Sequence, residues 1–337
     1  MNATVFISTT GQGVARAERG DTGEWPVEFL LQDQKIPCLT ADPLNPGVVY
    51  AGTRDGVLRS GDRGQSWHPA GLDGQVIKSL AASPIQPGVI YAGTKPPTIF
   101  VSRDGGATWT ELDSFRRMRR WFWYTPAEPG APYVQAIALS PTDPNVIVAG
   151  IEFGAVLRSA DGGQTWQGHL KGAIRDCHTL TFHAKNGDWV YQAGGSGAGA
   201  AFSRDGGITW TQPKVGLDRH YGWACAADPA RPEVWYVSIA PTFVFPHFSK
   251  FPIAHFDGYA HAHIFRTTGG AGWKKLSGGL PQPIHHMPYA LLTDPAAPGQ
   301  LYAGLSSGDV WHSADHGDTW QQLPFNLSGI DRSMIVL

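Results

Sequence analysis

Cysteine is scarce, with three in 337 residues. Cys38, Cys177 and Cys225 are an odd number at scattered positions, which excludes a disulfide framework. Charge is sparse as well: 16% of residues, with a net charge of −2. That balance argues against nucleic acid as a partner, and the one basic run, Arg116-Arg-Met-Arg-Arg120, is local. No apolar stretch is long enough to cross a bilayer. The N-terminus lacks a charged segment followed by an apolar run, so no signal peptide is expected and the cytoplasm is the expected compartment. There is no serine nucleophile elbow, P-loop or dinucleotide fingerprint. The run Gly194-Gly-Ser-Gly-Ala-Gly199 leads into a strand rather than a helix, so it lacks the dipole that binds phosphate.

What the chain does contain is repetition. Ser102-Arg-Asp-Gly-Gly-Ala-Thr-Trp109 recurs as Ser159-Ala-Asp-Gly-Gly-Gln-Thr-Trp166, Ser203-Arg-Asp-Gly-Gly-Ile-Thr-Trp210 and Ser313-Ala-Asp-His-Gly-Asp-Thr-Trp320. A near copy ends at Trp67, and worn copies end at Trp25 and Trp273. Successive tryptophans lie 42, 42, 57, 44, 63 and 47 residues apart. An internal period of this length decides the architecture.

Each repeat reads as four short β-rich runs split by Pro, Gly and Asp turns, an antiparallel meander. One such sheet cannot cover both of its faces, so copies must stack around an axis. The chain opens on a second-strand sequence, Thr4-Val-Phe-Ile-Ser8, and closes on a first-strand sequence, Ser333-Met-Ile-Val-Leu337. The expectation is an all-β fold: a seven-bladed β-propeller of four-stranded antiparallel blades, closed by the C-terminal strand joining the first blade. Residues 1–337 are expected to form one domain, with insertions at 111–132 and 241–262 rising on one face. The repeated phrase is read as structural, because a motif present in every blade cannot mark one active site. Its Asp caps a turn that needs Gly, and its Trp buries a large ring.

The phrase resembles the Asp-box, or BNR, repeat of sialidases, xyloglucan-cleaving glycosidases, the sortilin ectodomain and photosystem II assembly propellers. That resemblance implies the propeller fold along the whole chain. It leaves function open, because the group contains hydrolases, receptors and assembly factors. A sialidase would imply six blades and an Arg-Ile-Pro motif, neither of which is present here. The xyloglucan enzymes usually pair two propellers.

Function is sought where the repeats diverge. The first strand of each blade lines the axis. With the repeats aligned at Leu39, Leu80, Ile137, Leu180, Cys225, Leu291 and Ile335, two positions earlier stand Pro37, Lys78, Gln135, His178, Trp223, Tyr289 and Ser333; four positions earlier stand Lys35, Val76, Tyr133, Asp176, Tyr221, Met287 and Asp331. A ring this varied is not explained by packing alone. Asp176, His178, His220 and Tyr221 are the candidate catalytic groups, since they supply acid–base chemistry. Lys78, Gln135, Arg175, Arg219, Trp223, Tyr289, Trp121 and Trp123 are the candidate substrate contacts, with the cations suited to an anionic group. Glu152, Asp218, Asp257 and Asp309 are candidate second carboxylates for glycoside hydrolysis. Nine of the thirteen histidines lie between His178 and His286. His178, His220, His261, His263, His285 and His286 are therefore candidate ligands for a divalent metal at the axis. Two functions follow: a hydrolase or lyase acting on a polar small molecule such as a glycoside, or a non-catalytic binding or assembly propeller. In the second, the aromatic insertions would contact a protein or glycan partner.

Overall fold

The computed structural model describes residues 3–118, 123, 131–242, 253–269 and 272–337. Seven antiparallel sheets are strung along the chain. Their inner strands are Ile330–Val336, Cys38–Asp42, Val76–Ala82, Val134–Leu139, Cys177–His183, Tyr221–Ala227 and Pro288–Thr293, for blades one to seven. The C-terminal strand pairs with Thr4–Thr9, placing Val336 opposite Val5 and Met334 opposite Ile7. Closure is thus as the end sequences imply, but the strand starts at Ile330, three residues before the expected segment.

Five sheets have four strands. Blades four and five have three, and their outer edges are single bridges, Arg158 to Gln167 and Phe202 to Thr211. The interior lies between blades. Gly150 shows why a glycine recurs in second strands: a methyl there would lie 2.2 Å from Cys177 Sγ of the next blade.

The Asp-box hydrogen-bonds itself. In the third blade the Ser102 hydroxyl donates to Asp104 Oδ1 at 2.8 Å and accepts from the Gly106 amide at 2.8 Å. The Thr108 amide and hydroxyl donate to the same carboxylate at 2.9 and 2.6 Å. The pattern repeats at Asp62, Asp161, Asp205 and Asp315. These bonds favour the ionised carboxylate. Donation from Thr108 and Thr165 holds Asp104 and Asp161 down at about 2. An unfolded Asp titrates near ~3.9, so the stabilisation is complete above that value and is lost as pH falls through about 2. The thermal midpoint is expected to be flat from pH 7 to 5 and to drop between about pH 4 and 2. In Asp161→Asn that acid limb should be shallower; an unchanged limb would show that these turns are not what acid attacks.

Candidate functional site

The inner strands do not run regularly to the axis. In blade three, Ile77 pairs with Thr94 and Ser79 with Gly93, leaving Lys78 as an extra residue. The same irregularity leaves out Gln135 in blade four, His178 in blade five and Tyr289 in blade seven. In blade six it falls on Trp223 and Ala224, and in the closing strand on the segment 331–333. A bulge bends its strand and re-aims the extra side chain. Six of the seven ring positions picked out by repeat alignment therefore fall in bulges, and Pro37 stands just before its strand.

These bulges surround a cavity of about 340 Å³ at one end of the axis, lined by Lys35, Lys78, Tyr133, Gln135, His178, Asp331, Arg332 and Ser333 among others. Leu80, Ile137 and Leu180 form its floor and also border a hollow at the opposite end. Besides His178, three basic side chains reach the cavity, Lys35, Lys78 and Arg332. Lys78 Nζ stands 4.2 Å from the centre of the Tyr133 ring. Burial, then repulsion from Arg332, brings it down to about 8. The Arg332 guanidinium lies 4.7 Å from the centre of the Trp223 ring, and its backbone is left-handed at φ 75°. A non-glycine residue in that conformation stores about 1–3 kcal/mol of strain, which the surrounding structure must hold. Asp331 is loosely placed, 4.0 Å from both Lys35 Nζ and Arg332 Nε.

Behind this mouth is a buried acidic group around one imidazole. His178 Nδ1 donates to the Gly222 carbonyl at 2.7 Å. Its Nε2 faces Asp176 Oδ1 at 3.4 Å, an electrostatic contact rather than a well-formed hydrogen bond. Burial disfavours the imidazolium, but Asp176, Glu152 and the Gly222 carbonyl together outweigh it and raise His178 above its ordinary value. Glu152 is 6% exposed, and burial raises its carboxyl despite the nearby His178 and Arg332. Among the described residues its Oε2 has no hydrogen-bond partner. Gly195 makes room for this group, since a methyl on it would lie 1.9 Å from Asp176 Oδ2. The glycine-rich run thus serves close packing.

A second network crosses the blade six side. Tyr221 Oη bonds His255 Nε2 at 2.7 Å, and His255 Nδ1 bonds Tyr289 Oη at 2.9 Å. Burial, with His178 and Arg332 nearby, lowers His255 to about 4, so it is neutral, donating through one nitrogen and accepting through the other. Trp223 is enclosed, with ring centres 4.2 Å from His178 and 4.9 Å from Tyr289. It is 2% exposed, so it offers no open face for stacking a sugar.

The structure thus gathers Lys78, Gln135 and His178 at the cavity, with Asp176, Tyr221, Trp223 and Tyr289 packed around or behind them. The other candidates lie apart. His220 is exposed. Arg219 is committed to Asp218, at 2.7 and 3.2 Å, and to the His261 carbonyl. Arg175 bonds the Gly154 carbonyl and borders a separate hollow with Asp176. His261 and His285 face one another with ring centres 5.6 Å apart, while His286 Nδ1 stands 2.8 Å from Asp257. Burial, with Arg219 close by, lowers His263 to about 4. Asp309 holds Ser307, Gln322 and Asn326 in a turn. Among the described residues no three His, Cys, Asp or Glu side chains are placed to hold a metal ion. His261 and His285 meet through the Ala262–Ile284 bridge, but among the described residues no third ligand joins them. Trp123 packs on Phe115, with ring centres 6.0 Å apart, and not on the cavity. Trp121 lies outside the described residues.

Sequence reading missed Arg332 and His255. Arg332 sits between two ring positions and reaches the axis because the closing strand bulges there. His255 lies in the second insertion, and nothing local announces that it folds back onto Tyr221.

Repeat and closure define a seven-bladed propeller. Residues 201–212 match the BNR/Asp-box repeat, while comparison with curated proteins returns no match. Among solved structures, an ancestral GH74 enzyme aligns with a TM-score of 0.64 and 20% identity over 85% of this chain and 38% of its own. The GH74 xyloglucanase from Xanthomonas campestris aligns at 0.61 and 17%, over 85% and 45%. YCF48 bound to D1 peptide aligns at 0.54 and 16%, over 85% and 81%. The chain spans less than half the length of these two GH74 enzymes. At such identities the likeness shows the fold alone. Among the described residues no helix is long and apolar enough to cross a membrane.

Proposed function

We propose that this propeller binds a small anionic molecule, or an anionic group of a larger one, in the axial cavity. The observation that carries the reading is the pairing of Lys78 with Arg332. Both are turned into one cavity by bulges, and neither has a carboxylate closer than 4.0 Å among the described residues. Holding like charges together in a half-buried site is costly unless an anion completes it. Lys35 lies on the same rim, and Gln135 and Ser333 offer neutral polar groups. The exposed rings of Phe256 and Tyr259, on the insertion that supplies His255, offer apolar contact to a larger ligand. YCF48 with its D1 peptide shows that this fold accommodates a binding role.

Lactate and sugar acids, titrated against tryptophan fluorescence, test the reading. Lys78→Met and Arg332→Met are each expected to weaken binding about ten- to hundredfold, the worth of a charged hydrogen bond at ~1.5–3 kcal/mol. Unchanged affinity in both variants would remove the cavity as the site.

One observation favours glycoside hydrolysis as a second reading. Glu152 has a carboxyl raised by burial and lies near His178, as does Asp176, so two carboxyls are available for acid–base hydrolysis. If so, Glu152→Gln abolishes turnover of a chromogenic glycoside without loss of fold. Against it, His178 donates inward, and both its carboxylate neighbours are buried.

A further inference from the structure

Lys78 is a nucleophile as well as a cation, and anion binding does not use that property. Lys78 lines the cavity, its amine has no carboxylate within 4.0 Å among the described residues, and the Tyr133 ring lies against it. The groups that bear on it are Arg332 and Asp331 from the closing strand, Glu152 from blade four and Cys38 from blade two. Lys35, Tyr133 and His178 complete the surroundings. Burial and Arg332 bring the amine down to about 8, so a useful fraction is neutral near pH 7.5. A lysine desolvated beside another cation is the arrangement that activates an amine toward carbonyl carbon.

We propose that Lys78 condenses with small 2-oxo acids, forming an imine while Arg332 holds the adjacent carboxylate. This rests on the anion-binding reading of the same cavity and adds the substrate class. A 2-oxo acid places its carbonyl one bond from its carboxylate, which suits an amine and a guanidinium sharing one small cavity. The neutral nitrogen's lone pair forms the C–N bond, and the carbonyl π pair moves to oxygen, which takes a proton. Nitrogen then loses a proton, the hydroxyl gains one and leaves as water while the nitrogen lone pair closes the iminium, and loss of the second nitrogen proton gives the imine C=N. Solvent in the cavity exchanges these protons, and no oxidant or reductant is required.

The test treats the full chain with pyruvate and sodium borohydride and maps the reduced adduct by peptide mass. Lys78 should be labelled on the order of tenfold faster than any surface lysine. Its labelling should rise with pH to a midpoint near about 8, while surface lysines keep rising toward ~10.4. Lys78→Arg should still bind lactate but lose the excess label. Lactate, which has the carboxylate and no carbonyl, separates the two claims. If lactate binds the wild type and Lys78 is labelled no faster than surface lysines, the imine is overturned and the anion site stands. If neither lactate nor pyruvate perturbs the tryptophan fluorescence and no excess label forms, both claims fall.

Discussion

Deleting residues 330–337 is expected to leave the chain insoluble or unfolded. Ile330, Met334 and Val336 are all under 10% exposed and pack against blades one and seven. Burying three such side chains contributes roughly 5–9 kcal/mol, which is comparable with the whole stability of a typical domain at ~5–15 kcal/mol. The deletion would also bare the inner edge of Thr4–Thr9, where Val5 and Ile7 are fully buried. An exposed apolar edge strand invites pairing between chains. Expression of the truncated chain, with light scattering and circular dichroism, checks this. A soluble truncation with an unaltered melting temperature would mean that the ring is held shut elsewhere.

The second large effect falls on His178. The residue types alone suggest an acid–base group whose loss would leave the fold intact. The geometry implies the opposite. Its side chain is fully buried, one nitrogen is tied to Gly222, and the nearby Asp176 and Glu152 favour its charged form. His178→Ala is expected to cost about 3–5 kcal/mol, because two buried carboxyls lose their counter-charge. Asp176→Asn in the same chain should restore part of the loss.

The effect has a sign in pH. The folded value of His178 is raised, so its contribution is complete below the unfolded value of ~6.5 and is lost as pH rises through the folded one. The gap between wild type and variant in urea denaturation should therefore be wider at pH 6 than at pH 9. A variant of normal stability that had lost all turnover or binding would return His178 to the catalytic role.

Much of the site was legible in part. Lys78, Gln135, His178, Trp223 and Tyr289 were found because they break an otherwise regular repeat, and each proves to occupy a bulge. What each does was not legible. Trp223 has the residue type of a sugar platform but is walled in by His178, His255, Tyr289 and Arg332. Arg219 has the type of an anion clamp, yet its neighbour Asp218 already occupies it. Nearness along the chain does not bring the histidines together, because neighbouring repeats place their residues on different blades.

The sequence by itself determined the number of blades, the strand order, the closure and the structural role of the Asp-box. Each of these rests on a local or periodic property: strand alternation, turn chemistry, or a phrase copied at a fixed interval. Only the tertiary structure decided that Arg332 joins Lys78 at the axis, that His178 faces inward, and that His255 bridges Tyr221 and Tyr289. Those outcomes depend on pairing offsets between strands distant in sequence and on burial by the next blade. Burial also decides which of the many charged groups keeps its charge, and it exists only once the ring is closed.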